Sequence, residues 1–80
     1  MRLDKYLKVS RIIKRRTVAN EACDTARVTV NGRPAKASYD VKTGDVIEVT
    51  FGQRSLKVRV LDVKEFTAKA DASMLYEVIE

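Results

Sequence analysis

The residues able to do chemistry in this 80-residue chain are crowded into its first sixteen positions. Seven basic side chains (Arg2, Lys5, Lys8, Arg11, Lys14, Arg15 and Arg16) stand there against one acid, Asp4, a balance of +6. The remaining sixty-four residues carry nine basic and ten acidic groups, so the whole excess of +5 lies at one end. Fixed positive charge gathered on one short segment attracts and holds anions, and the polyanion it suits best is a phosphate backbone. The expected chemistry is therefore binding of nucleic acid.

Other chemistries lack their reagents. Histidine is absent and cysteine occurs once, at Cys23. Zinc and transition-metal sites thus lose their usual ligands, and the Ser/His and Cys/His nucleophile pairs cannot be built. Asp40 with Asp45, or Asp62 with Glu65, could form a carboxylate pair, but solvated turn residues account for them better. The chain is not expected to be an enzyme, and no cofactor or metal is expected. One cysteine forms no internal disulfide, which fits a reducing compartment. No run reaches the roughly 18–20 apolar residues of a membrane span, and no signal-peptide-like apolar block follows the N-terminal charge. The expected location is cytoplasmic.

The elements that must position the basic residues are short. Leu3, Tyr6, Leu7 and Ser10 recur at helical spacing and form one stripe. Arg2, Lys5 and Lys8 then face away from it, where an ordinary solvated face explains them as well as a binding face does. Asp4, near the helix start, suits the macrodipole and can hold a neighbouring cation. Ile12 and Ile13 anchor the connection that carries Lys14, Arg15 and Arg16. Thr17 is the expected N-cap of a second helix over about 18–26. Ala19, Ala22, Cys23 and Ala26 give that helix a stripe of small residues for close packing, with Cys23 an inert, packed thiol. Its N-terminus, next to Arg15 and Arg16, also favours an anion.

From residue 27 the period changes to two. Val28 and Val30 form a strand, Asn31-Gly32 a hairpin turn, and Arg33-Pro34-Ala35 an edge strand, where proline is tolerated. Residues 36–40 read as loop and Val41–Asp45 as a tight turn. Val46, Ile47, Val49 and Phe51 predict a strand, with Phe51 in the core, and Gly52-Gln53 a turn. Leu56, Val58 and Val60 predict the next strand, buried on one side. A polar, alanine-containing connection over 64–73, with Phe66 in it, is expected either as a helical turn or as a mobile link, and leads to a closing strand with Met74, Tyr76 and Val78 alternating. The expected fold is α+β, two short N-terminal helices packed on a small antiparallel sheet, in a single domain over 1–80.

Four segments in this order, Arg2-Leu3-Asp4-Lys5-Tyr6-Leu7, Lys14-Arg15-Arg16-Thr17-Val18-Ala19, Val28-Thr29-Val30-Asn31-Gly32 and Val41-Lys42-Thr43-Gly44-Asp45, resemble the S4 RNA-binding domain. The likeness covers about residues 2–50, leaving 51–80 as C-terminal strands, and implies an S4-like (αL-like) fold. The small size looks most like the bacterial RqcP (YabO) family, with the fifteen-kilodalton ribosome-associated heat-shock protein as a larger relative. The resemblance implies a factor that binds large-subunit rRNA and peptidyl-tRNA on stalled, split ribosomes, while RqcH extends the nascent chain. Arg2 and Arg16 match the family's RNA-contacting positions, and Lys5, Lys8, Lys14 and Arg15 are neighbours in the same charged segment. Asn31 matches the family's turn, where a structural role serves equally well. One departure is Ala26, where the family usually has glycine.

These readings define the expectation: an RNA-binding, rRNA- and tRNA-binding factor in ribosome-associated quality control, acting as a monomer, with RqcH as a further partner and no membrane. A basic protein-interaction adaptor, or a general rRNA-binding assembly or recycling factor, stands as the alternative. Aromatic residues are few, so recognition of backbone and shape is expected over stacking on bases.

Overall fold

The computed structural model describes residues 1–65 and 68–79. Helix α1 spans Leu3–Val9, too short to persist in water on its own, and it is held by docking its apolar stripe. Leu3, Tyr6 and Leu7 are fully buried, with Ser10 beside them. Helix α2 spans Arg16–Asp24, with Arg15 at the N-cap and no side-chain cap. It therefore begins two residues before the expected start, and Thr17 lies inside its first turn. The reason is tertiary: the Asp4 carboxylate of α1 reaches Arg16 and Asn20 on α2, so the helix start is fixed from the neighbouring helix.

Both helices end on a left-handed residue that is not glycine, Arg11 at φ 63° and Ala26 at φ 59°. After α2 the Ala26 N–H donates to the Cys23 carbonyl (3.1 Å) and the Arg27 N–H to the Ala22 carbonyl (2.9 Å), closing the last turn. Ala26 thus belongs to the reversal out of the helix. Of the small-residue stripe, Ala19 and Cys23 are buried and Ala22 partly so, while Ala26 is exposed.

Strands β1 (Val28–Val30), β2 (Arg33–Pro34), β3 (Val46–Phe51), β4 (Arg54–Val60) and β5 (Tyr76–Val78) form an antiparallel sheet in the order β2-β1-β3-β4-β5. Asn31 (φ 53°) and Gly32 (φ 83°) link β1 to β2 in a two-residue turn with both centres left-handed, and Pro34 sits on the edge strand as expected. Val28, Val30, Ile47, Val49, Val58 and Val60 line the buried face, and Leu56 is only partly covered. Phe51 departs from the expected core placement. It is 46% exposed at the tip of the β3–β4 hairpin, in an open cleft beside Val18 and Ile13, because the strand runs past the layer that covers Ile47 and Val49.

The C-terminal segment also differs from simple alternation. A 3-10 helix over Lys69–Leu75 precedes β5, and its last residue, Leu75, enters the core, while Met74 (69%) and Val78 (60%) are exposed. The Leu75 carbonyl accepts the Tyr6 hydroxyl at 2.8 Å and the Leu61 N–H at 2.8 Å, tying this end to α1. Burial pushes the Tyr6 hydroxyl pKa well above its ordinary value. Phe66, within the 64–73 connection, lies outside the described residues.

The N-terminus is clamped to the loop after β2. Leu3 N–H donates to the Tyr39 carbonyl (2.8 Å), Asp4 N–H to the Ala37 carbonyl (3.2 Å) and Val41 N–H to the Met1 carbonyl (2.8 Å). Arg2 and Asp40 form an isolated bridge, and the Met1 ammonium meets the Asp40 carboxylate at 2.6 Å. A loop poor in apolar residues is thereby fixed by backbone pairing.

Candidate functional site

The basic segment is organised around a buried acid. Asp4 is 2% exposed, and burial alone raises a carboxyl's pKa. Here that effect is overcome. Arg2 forks onto it through Nε (3.2 Å to Oδ1) and Nη2 (3.4 Å to Oδ2). Asn20 Nδ2 donates to Oδ2 at 3.2 Å, Arg16 Nε lies 3.4 Å from Oδ2, and the Lys5 backbone N–H donates to Oδ1 at 2.8 Å. Together they bring Asp4 down from 3.8 to about 2. It is therefore ionised at neutral pH and neutralises one of the two guanidiniums it binds.

Arg2, at the N-cap of α1, and Arg16, in the first turn of α2, are about half exposed, with side-chain accessibilities of 51% and 45%. Asp4 takes one flank of each and leaves the rest of each planar donor array to solvent. Two long side chains from different helices are thus held in a common orientation before any ligand arrives. Arginine suits this use, because its fork can bond a carboxylate on one side and a phosphate on another.

The other expected site residues are placed less uniformly. Lys14 and Arg15 are exposed in the α1–α2 connection, Arg15 directly at the α2 N-cap. Lys8 is exposed in the last turn of α1. Lys5 is half-buried and forms an ion pair with Glu65, whose carboxyl pKa is lowered by that hydrogen bond. Its charge is answered by one carboxylate of its own, whereas Arg2 and Arg16 share the single charge of Asp4. Asn31 is structural: its amide bonds Asp45 Oδ1 (3.2 Å) and its carbonyl accepts the Val46 N–H (3.0 Å).

Asn20 is the member of the site that sequence reasoning missed. A polar residue on a helix carries no periodic signal, and only the approach of α1 gives its amide a partner. Cys23 is buried with its pKa raised to about 11 by desolvation and the nearby Asp4 and Asp24, so it has no thiolate to offer near neutral pH.

Two short helices packed beside a five-stranded antiparallel sheet agree in fold with what the comparisons find. The S4 domain family profile matches residues 1–47. The RQC P-site tRNA stabilizing factor of Streptococcus pneumoniae is 58% identical over 79 residues, covering 99% of this chain and 90% of that protein. The chain belongs to the S4-domain family of RQC P-site tRNA stabilizing factors. The family member from Bacillus subtilis is 51% identical over 80 residues, covering 100% of this chain and 93% of its own. The fold is shared with the trimeric structure of Vibrio cholerae heat shock protein 15 (TM-score 0.90, 28% identity, 98% of this chain and 80% of that one). Arg2, Asp4 and Arg16 lie inside the matched residues 1–47.

Proposed function

We propose that this protein binds RNA of the large ribosomal subunit together with P-site tRNA, and that it works without catalysis, as a positioning factor in the quality control of stalled nascent chains. The observation that carries this is the Arg2–Asp4–Arg16 cluster: two half-exposed guanidiniums pre-set by one buried carboxylate. The names of the relatives support the tRNA and quality-control part. Arg2, Arg16, Lys14, Arg15 and Lys8 act as phosphate-binding groups, and Lys5 contributes mainly through its tie to Glu65.

Ordering arginine side chains in advance lowers the entropy lost on binding, so affinity is gained without base-specific contacts. The protein acts as a monomer in the cytoplasm, with RqcH as a neighbour on the same subunit. No helix among the described residues is long and apolar enough to cross a membrane.

Sucrose-gradient co-sedimentation with purified large subunits tests the proposal. Arg2→Gln/Arg16→Gln should leave the heavy fractions, with circular dichroism confirming the fold, and Lys14→Ala/Arg15→Ala should weaken the association. Retention of both variants on the subunit at parental levels, or co-sedimentation that survives complete nuclease digestion, would refute it.

A further inference from the structure

The clamp between the N-terminus and the loop after β2 does more than close the fold. It sets Lys36 across a cleft of about 390 Å³ whose walls also carry Arg2, Asn20, Asp24 and Ser38. That cleft shares Asn20 with the hollow beside Asp4, Arg16 and Thr17. On its other side it shares Lys36 and Ser38 with a cleft of about 650 Å³ lined by Asn31, Arg33, Pro34 and Tyr39. Three hollows with common lining residues thus adjoin one another between the start of α2 and the β1–β2 hairpin. Arg16 lines the first of them, Arg2 and Lys36 the second, and Lys36 and Arg33 the third.

Lys36 and Arg33 are both exposed, and among the described residues neither forms an ion pair. Their placement is rigid at the backbone level. The Ala37 and Tyr39 carbonyls on one side of Lys36 are bonded to α1, and Arg33 is paired with Val30 in the hairpin. Positive groups spaced along adjoining shallow hollows suit a polyanionic chain better than a single small anion.

We infer that the path through Lys36 to Arg33 is a second arm of the RNA-binding surface, along which the sugar-phosphate backbone continues beyond the Arg2–Arg16 pair. This rests on the RNA-binding reading above and adds two phosphate contacts to it. Asp24, exposed in the groove wall at the end of α2, repels that backbone. Asp4 exerts little repulsion, since Arg2 and Arg16 already neutralise it. The groove therefore makes opposite demands on its own residues: removing a cation weakens binding and removing the Asp24 charge strengthens it.

The experiment is a titration of a labelled RNA hairpin at several salt concentrations, by fluorescence anisotropy, on the full chain. Arg33→Ala/Lys36→Ala should weaken binding about tenfold and flatten the log–log salt dependence by roughly 1.5. Asp24→Asn should tighten binding about threefold at low salt, where screening is weakest. Arg54→Gln, which removes a charge from the start of β4, should change neither quantity.

If Arg33→Ala/Lys36→Ala and Asp24→Asn bind like the parent while Arg2→Gln/Arg16→Gln loses binding, the second arm is refuted and the RNA-binding reading stands. If the parent itself ignores the hairpin at low salt, both fall. If Arg54→Gln weakens binding as much as the groove variant, the effect is one of net charge and the path is refuted.

Discussion

Asp4→Asn separates a buried organiser from a bystander. The substitution keeps the shape of the side chain and removes the charge that Arg2, Arg16, Asn20 and the Lys5 N–H all address. It also turns one acceptor into a donor facing other donors. Lowering the carboxyl from 3.8 to about 2 corresponds to about 2 kcal/mol of folding free energy. The carboxylate is buried but Arg2 and Arg16 are about half exposed, so solvent screening makes that figure an upper bound.

Because the folded pKa is depressed, the contribution is fully present above the unfolded value of 3.8 and is lost as pH falls from there toward about 2. A core this small supplies only about 3–5 kcal/mol in all, so the loss is a large share of the total. The assay is urea unfolding at pH 7, 5, 3.5 and 2, for parent and variant. The parent should lose up to about 2 kcal/mol more than the variant between pH 5 and pH 2. At pH 7 the variant should be weaker by a similar amount and should bind large subunits poorly, because its arginines are no longer held. Equal stability at pH 7 with unchanged pH dependence would show that Asp4 organises nothing.

Other outcomes follow from the same geometry. Ala26→Gly relieves a left-handed alanine and should raise stability by up to about 1 kcal/mol, moving Tm upward by roughly 4–8 °C in calorimetry. Tyr6→Phe removes one of the donors on the Leu75 carbonyl but leaves the Leu61 N–H in place, so chemical denaturation should show a loss of only about 1 kcal/mol. Phe51→Thr should cost no more than about 1 kcal/mol in the same measurement, since the ring is half-exposed already. The five phosphate contacts of the N-terminal segment alone, at roughly 0.8 each in the log–log slope, should make a fourfold rise in salt weaken RNA binding at least a few hundredfold. A salt-independent affinity would remove the electrostatic account.

The amino-acid sequence by itself determined the charge asymmetry, the element order and most of the buried face. Charge balance is a sum over residues and needs no geometry, so the +6 segment and the missing histidine were legible at once. The stripe of Leu3, Tyr6 and Leu7, the alternation through Ile47, Val49, Val58 and Val60, and the Asn31-Gly32 turn are local signals, and each local preference agrees with the final packing.

Tertiary structure alone decided what long-range pairing controls. The α2 start moved to Arg16 because Asp4 binds there from another helix, and Phe51 became exposed because strand length and the extent of the covering layer are independent quantities. Lys5 was drawn into an ion pair by Glu65, sixty residues away. Lys36 and Arg33 escaped notice because the charge sum over residues 17–80 cancels along the chain, whereas charge acts through space. Hydrogen bonds from Leu3 and Asp4 to the Tyr39 and Ala37 carbonyls bring Lys36 beside Arg2, and no local pattern in either segment encodes that meeting.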